Sequence, residues 1–365
     1  MDETCYRYWL CNIPGLGNVR IERLYNLFGS ARDIYHASEK ILKASNILKD
    51  KDIECIRKTR ENLQIFTEYL QLNKKNIRLI TLWDEDYPKR LKNIYDKPVS
   101  LYLKGKLPAE DTPAVAIVGA RNCSEYGRQM AHFLGRKLAQ KGVNVISGLA
   151  RGIDGAGHLG ALSAGGYTMG VLAGGVDVCY PRENIDLYVQ MEEAGGIVSE
   201  YPPGMEPLPK HFPLRNRIIS GLSDVVVIVE ARERSGSLIT ADMALEQNRT
   251  VMAVPGRICD KLSAGCNDLI LQGAGIVCGV ENILENLNCE SFVKEPDEKK
   301  IINLLAREEK MLYSCLDLTP KNLNTIIEET GLEMSVVTAS LVNLEFRGMI
   351  REVSRGYYVR TEIQI

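Results

Sequence analysis

The sequence predicts an α/β protein built on a doubly wound, mostly parallel sheet, with a helical domain ahead of it and a small helical unit behind it. Three observations carry that prediction. After Pro113, short apolar runs alternate with helix-like stretches, the pattern of a sheet covered by helices on both faces. The run DVVVIVEA (Asp224–Ala231) is β-branched and lacks polar alternation, which marks a strand buried on both sides. The following ARERSGSLITADMALEQ and TVMAVPG then complete a strand–helix–strand unit.

Residues 1–75 form the leading helical domain, because apolar residues recur there at helical spacing. Within it, IPGLGNVRIERLYNLFG (Ile13–Gly29) is similar to the sterile-α-motif (SAM) or helix-hairpin-helix type of element, a Gly-x-Gly turn between two short helices. The N–H groups of such a hairpin can hold a DNA phosphate without reading bases, although a tight turn inside a small helical domain is the simpler account of the residues. The stretch Asp50–Asn73 is expected to be one charged, amphipathic packing helix.

The second domain is expected over 76–290. IRLITLW (Ile77–Trp83) reads as a strand, and 84–105 reads as an irregular approach punctuated by Pro88 and Pro98. Strands are then predicted at Ala114–Val118, Val143–Ser147, Thr168–Leu172, Ile197–Glu200, Val225–Glu230, Val251–Val254 and Gly275–Cys278. Helices fall between most of them, including Tyr126–Lys141 and Asp154–Ala164. This is a Rossmann-like order, and such sheets bind ligands beyond the carboxyl ends of their strands.

Those ends are rich in Gly and Arg: GAR (Gly119–Arg121), SGLARGID (Ser147–Asp154), LAGGVD (Leu172–Asp177), SEYPPG (Ser199–Gly204) and EARERSGS (Glu230–Ser237). Glycine admits close approach of a ligand to the backbone, and arginine supplies planar donors for phosphate. Arg121, Arg151, Arg232 and Arg234 all fall on this edge. An acid-free basic island, Lys210, His211, Arg215 and Arg217 around Phe212, precedes the fifth of these strands. Ser235, Gly236 and Ser237 fall at a helix N-terminus, where free N–H groups favour an anion. The turn GARNCSEYG is not GxGxxG and no GxxxxGK[ST] occurs, which argues against dinucleotide and ATP sites.

The third domain is expected over 297–365, after a charged linker, FVKEPDEKK. Helix-like Asp297–Leu316, Leu318–Gly331 and Glu333–Ile350 are followed by a strand-like tail, the order of a winged helix. Its recognition helix, Met334–Gly348, offers Asn343 and Arg347 beside Glu345, with Glu328, Glu329 and Glu333 upstream. From Asp297 onward nine Lys and Arg face eleven Asp and Glu. A protein-contact or structural role suits this unit better than DNA reading.

Composition narrows the chemistry. A net charge of −2 means that any nucleic-acid partner must be held by local patches. Ten cysteines contain no CxxC pair, and the Cys259/Cys266 pair has no clustered His or Cys beside it, so reduced thiols and no metal site are expected. No cofactor is predicted. The start MDETCYRYW is not a signal peptide and no apolar run approaches ~18 residues, so a cytoplasmic protein without membrane insertion is expected.

Six motifs in order resemble the DNA-processing protein DprA (Smf) family. They are VAIVGAR…S-x-YG (Val115–Gly127), SGLARGID…H-x-GAL (Ser147–Leu162), GGVDVCYPREN (Gly174–Asn184), FPLRNRIISGLSD (Phe212–Asp224), EARERSGSLITA (Glu230–Ala241) and AVPG…G-x-N-x-LI-x-x-GA (Ala253–Ala274). Ala120 stands where Ser is usual, Gly157 where Ala is usual, and Ala173 where Gly is usual. The helical head and winged-helix tail suit the longer members. The resemblance implies a homodimer, formed through the α/β domain, that binds single-stranded DNA and loads RecA recombinase onto it during natural transformation. It implies no catalytic residues.

Single strands are held by cationic grooves and aromatic faces. Arg121, Lys210, Arg215 and Arg217 are therefore the candidate phosphate ligands, together with the backbone at Gly119 and at Ser235, Gly236 and Ser237. Phe212 is the candidate stacking platform. A core anchor is the alternative for Phe212, and an internal pair with Glu230 or Asp224 is the alternative for Arg215 and Arg217. The rival function is a nucleotide-binding phosphoribohydrolase-like enzyme using Asp154, Asp177, Glu200 or Glu230. Its PGGxGTxxE loop is missing, however: the comparable turn is SGSLITADM, with Met243 where Glu should stand. Asp154 and His158, four apart, are expected to share a hydrogen bond on a helix surface. A scaffold using only the winged helix would leave the basic edge unexplained.

Overall fold

The computed structural model describes residues 2–62, 64–287, 305–317 and 319–361. The chain forms two compact units, Met1–Asn288 and Cys289–Ile365. The linker FVKEPDEKK, and the first part of the predicted helix Asp297–Leu316, lie outside the described residues.

The first unit opens with six helices: α1 (Glu3–Cys11), α2 (Asn18–Phe28), α3 (Ala31–His36), α4 (Glu39–Ala44), α5 (Asp50–Glu61) and α6 (Gln64–Lys74). The single helix expected over Asp50–Asn73 is thus two. The backbone of Asn62 turns extended (ψ 92°), and its side chain accepts from the N–H of Gln64 (3.0 Å), restarting the helix. Trp9, Leu10, Ile21 and Leu24 of this head pack with Leu79, Tyr102 and Val176 of the sheet region in one core. Trp83, read as strand, instead stacks on Tyr25 at 3.7 Å.

The sheet has nine strands in the order β1-β2-β6-β5-β4-β3-β7-β8-β9. Its strands are β1 (Arg78–Thr81), β2 (Ser100–Gly105), β3 (Ala114–Val118), β4 (Asn144–Ser147), β5 (Thr168–Val171), β6 (Gly196–Ser199), β7 (Val225–Ile228), β8 (Thr250–Ala253) and β9 (Gly275–Ile276). From β6 to β9 all pairings are parallel. β1 and β2 add antiparallel at one side. β2 corrects the sequence reading, which left 84–105 irregular. It lies between β1 and β6, so its first four residues are all buried and show no alternation.

A short helix α7 (Lys89–Lys92) precedes β2. The sheet is then covered by α8 (Glu125–Gln140), α9 (Ile153–Ser163), α10 (Ile185–Ala194), α11 (His211–Gly221), α12 (Gly236–Glu246), α13 (Ala264–Leu271) and α14 (Val280–Asn286). α8 and α9 touch through glycine: a Cβ on Gly160 would lie 2.1 Å from the carbonyl oxygen of His132. The chain winds from β3 through β4 and β5 to β6, then crosses back to place β7 on the other side of β3. The crevice at that reversal, outside the carboxyl ends of β3, β4 and β7, is where such sheets bind ligands.

The second unit comprises α15 (Arg307–Cys315), α16 (Leu323–Thr330), α17 (Met334–Phe346) and a sheet of order β10-β12-β11, with β10 (Lys321–Asn322), β11 (Ile350–Ser354) and β12 (Tyr357–Arg360). Leu312, Ile326, Val337, Leu341, Leu344 and Ile350 form its core. This is the expected winged helix.

Candidate nucleic-acid interface

β3 delivers Gly119 to the crevice, where only glycine fits. An added Cβ would lie 2.7 Å from Ile153 Cγ1 and 2.9 Å from the carbonyl oxygen of Glu230. The next loop is pinned from below. The N–H of Ala120 donates to the Glu230 carbonyl (2.8 Å). The buried Glu230 carboxylate accepts from the N–H (2.9 Å) and hydroxyl (2.5 Å) of Ser124, the residue that caps α8. A carboxylate at a helix N-terminus is favourably placed. The loop so held projects Arg121, exposed and without an ion pair among the described residues.

α11 supplies the facing wall. Pro213 is tolerated in its first turn, where a missing N–H costs nothing. Phe212 is half-buried, with the Arg121 guanidinium 4.7 Å from its ring centroid and Tyr180 5.7 Å away. The core anchor of this turn is His211, which is buried, stacked on Tyr201 at 4.1 Å, and bonded through Nδ1 to the Ala173 carbonyl (3.1 Å). Lys210 precedes the helix and is exposed, next to Pro209 on the cleft wall.

α12 completes the site. Ser235 caps it, accepting from the N–H of Ser237 (3.3 Å). A cavity of about 430 Å³ opens between Gly119, Arg121, Phe212, Arg215 and Ser235–Ser237. A side recess of about 270 Å³ joins it beside Arg121, Arg151 and Tyr180.

The other two arginines turn inward. Arg215 is buried under the cleft and donates to the carbonyls of Gly148 (2.8 Å) and Val171. Burial pulls its pKa down to about 10, against the opposing pull of Asp154. Arg217 donates to both carboxylate oxygens of Glu200 (2.7 and 2.8 Å) and to the Asp96 carbonyl (2.6 Å). Both therefore brace the fold. The partner of Arg217 is Glu200, however, because Glu230 is held by Ser124 and Asp224 by Arg90 (2.9 Å).

The carboxylates of the enzyme reading are similarly occupied. Asp177 takes Lys75 (2.9 Å) and the N–H of Gly204 (2.6 Å). Asp154 accepts from the N–H of Gly148 (3.1 Å), and burial raises its pKa while Arg215 opposes the rise. The surface bond expected between Asp154 and His158 is not made. Both are buried, and His158 Nδ1 pairs with Thr168 Oγ1 (2.6 Å), burial pushing the ring's pKa down to about 3. Among the described residues no cluster of three or more His, Cys, Asp and Glu is placed to hold a metal ion, and no helix is long and apolar enough to cross a membrane.

Sequence reasoning overlooked Tyr180 and Asn216 on the cleft wall. Tyr180 was legible in principle: it is an aromatic within GGVDVCYPREN, and it is half-exposed.

A family model described as DNA recombination-mediator protein A matches residues 78–288, which include every strand, loop and helix of this cleft. The chain belongs to that family. A second model, the DprA winged helix domain, matches residues 295–354, so the family is the DprA (Smf) family indicated by the motifs. The protein Smf of Escherichia coli is 35% identical over 361 residues, covering 93% of this chain and 94% of its own. The solved structure of DNA processing protein A from Streptococcus pneumoniae is 35% identical, with a TM-score of 0.68, and covers 79% of this chain and 99% of that one. A Helicobacter pylori DNA processing protein A, described by its single-stranded DNA binding mode, is 32% identical with a TM-score of 0.53, covering 58% of this chain and 96% of that one.

Proposed function

We propose that this protein binds single-stranded DNA in the cleft at the carboxyl ends of β3, β4 and β7, and that it delivers the strand to RecA recombinase during natural transformation. The observation that carries the binding is the Arg121–Phe212 pair, a cation and an aromatic face that both open on the cleft. Arg121 and Lys210 take phosphates, the backbone at Gly119 and Ser235–Ser237 adds donors, and Phe212 stacks a base. Arg215 supplies charge from the floor, and Arg217 holds α11 in place. The likeness to the Helicobacter pylori protein supports the ligand class.

The working form is a homodimer through the α/β unit. Leu271 at the end of α13 is 84% exposed and Ile276 of β9 is half-exposed, apolar side chains of the segment Gly265–Ile276 suited to a two-fold contact. Light scattering at micromolar concentration should give twice the chain mass, and a monomer would remove this part of the reading.

Titration of matched single- and double-stranded oligonucleotides, with nucleotide hydrolysis followed in parallel, tests the whole. Preference for single strands with little sequence bias and no hydrolysis is expected. Equal or tighter duplex binding at the same salt would sink the proposal, and turnover of a nucleotide would revive the phosphoribohydrolase reading.

A further inference from the structure

The two edges of the sheet treat their cations differently. At the amino ends of the strands, Arg90 pairs with Asp224 (2.9 Å) and Arg78 with Asp86 (3.1 Å), and Arg249 is held by the carbonyls of Arg90 (3.2 Å) and Gly221 (3.1 Å). At the carboxyl ends the outcome depends on the side of the cleft. Towards β5 and β6, the carboxylates Asp177, Glu183 and Glu200 take Lys75, Arg151 and Arg217, leaving Arg182. Towards β7 and β8, Arg232, Arg234, Arg257 and Lys261 are all exposed, and none makes an ion pair with a described residue. Glu233 and Asp260 stand among them, the latter already accepting from the N–H of Leu262 (2.9 Å).

These four cations share one neighbourhood. The loop after β7 is fastened to the loop after β8 by the N–H of Ala231 on the Leu262 carbonyl (2.8 Å), and by the N–H of Gly265 on the Ala231 carbonyl (2.9 Å). A Cβ on Gly265 would lie 2.8 Å from the Arg232 carbonyl oxygen. Arg234 adjoins Ser235 of the cleft. From β3 to β8 is two strand spacings, about 10 Å. Between Arg257 and Lys261 stands Ile258, 98% exposed, an apolar side chain between two cations. A single strand presents the matching alternation of phosphate and base.

We infer that a bound strand leaves the cleft over the carboxyl ends of β7 and β8, and that Arg232, Arg234, Arg257 and Lys261 form a second phosphate-binding segment there. The inference rests on the cleft being a single-stranded DNA site. It adds a direction of exit, away from the β5–β6 side, where Asp177, Glu183 and Glu200 already hold cations.

The test is fluorescence anisotropy on the full chain with two oligothymidylates, one of about six nucleotides, filling the cleft alone, and one of about twenty. The Arg257→Ala/Lys261→Ala and Arg232→Ala/Arg234→Ala proteins should each bind the short oligonucleotide within twofold of the parent. On the long one each should lose about 1.4 from the slope of log affinity against log salt, two contacts at about 0.7 each. Arg257→Lys/Lys261→Arg should keep the parent slope. Unchanged slopes on the long oligonucleotide, or equal losses on both lengths, would overturn the inference. Failure of the cleft reading looks different: a parent that binds neither length removes both ideas. A Lys210→Ala/Arg121→Ala protein that keeps full short-oligonucleotide affinity removes the cleft, and with it the exit path, whatever the outer variants show.

Discussion

Phe212→Ala is the most informative single change. The ring is half-buried and lies against Arg121 and Tyr180 rather than in a core, so truncation leaves a shallower wall and no closed cavity. Loss of a base-stacking aromatic costs about 1–3 kcal/mol of binding, or roughly five- to 150-fold in Kd. The cation–π contact with Arg121 is worth about 0.5–1 kcal/mol at an exposed site, and that much stability is the expected folding cost. Binding should therefore fall far more than stability. Because the guanidinium already covers one ring face, Arg121→Ala and Phe212→Ala should couple, the double variant losing less than the sum of the single ones. Anisotropy with an oligothymidylate and thermal melts on all three variants give both quantities. Phe212→Trp should keep the affinity. A folded Phe212→Ala protein with unchanged affinity would refute base stacking, and one that melts many degrees lower would return Phe212 to the core.

Three further outcomes are expected. Lys210→Ala should weaken binding alike for all sequences and make the salt slope shallower by about 0.7, with an unchanged melt. An unaltered slope would place the phosphates elsewhere. Among the described residues, Arg217→Ala leaves Glu200 with Asn18 (2.7 Å) as its one side-chain partner, so stability should fall by about 3 kcal/mol while the salt slope holds. A lost slope unit with normal melting would instead make Arg217 a phosphate ligand. His158 is buried neutral with its pKa pushed down to about 3, so the unfolded chain takes up its proton first as pH falls. Its contribution is complete above the unfolded value of about 6.5 and is lost as pH drops from there towards 3, so denaturation midpoints should decline across that window. His158→Gln should flatten the decline, and an identical pH profile would refute the assignment.

The parallel strands were legible because β-branched runs such as Val225–Ile228 have one stable use, in the middle of a covered sheet. The Gly-rich strand ends were legible for an equally local reason: at Gly119 no side chain fits. β2 was not, since Pro88 and Pro98 look like loop punctuation, and what makes Ser100–Gly105 a strand is β6, nearly a hundred residues further on. The break at Asn62 was hidden because both sides of it carry helical periodicity.

The charged residues show the deeper limit. Arg121, Lys210, Arg215 and Arg217 are alike in the sequence, four cations on one prospective edge. Their fates diverge through partners that local pattern does not reveal. Glu230 was one partner offered to Arg217, but it is taken by Ser124, 106 positions away in the chain. Asp224 is taken by Arg90, 134 positions away. Glu200 is then the carboxylate that Arg217 meets, and Arg215 is drawn under the sheet edge by the carbonyls of Gly148 and Val171. The Arg217–Glu200 pairing removes one cation and one carboxylate together, whereas Arg215 turns its donors onto carbonyls. Arg121 and Lys210 keep their charge for a ligand because no described carboxylate pairs with them. The anion-binding character proposed for the cleft, in a chain of net charge −2, is therefore a product of which pairs the fold makes, not of how many arginines the edge contains.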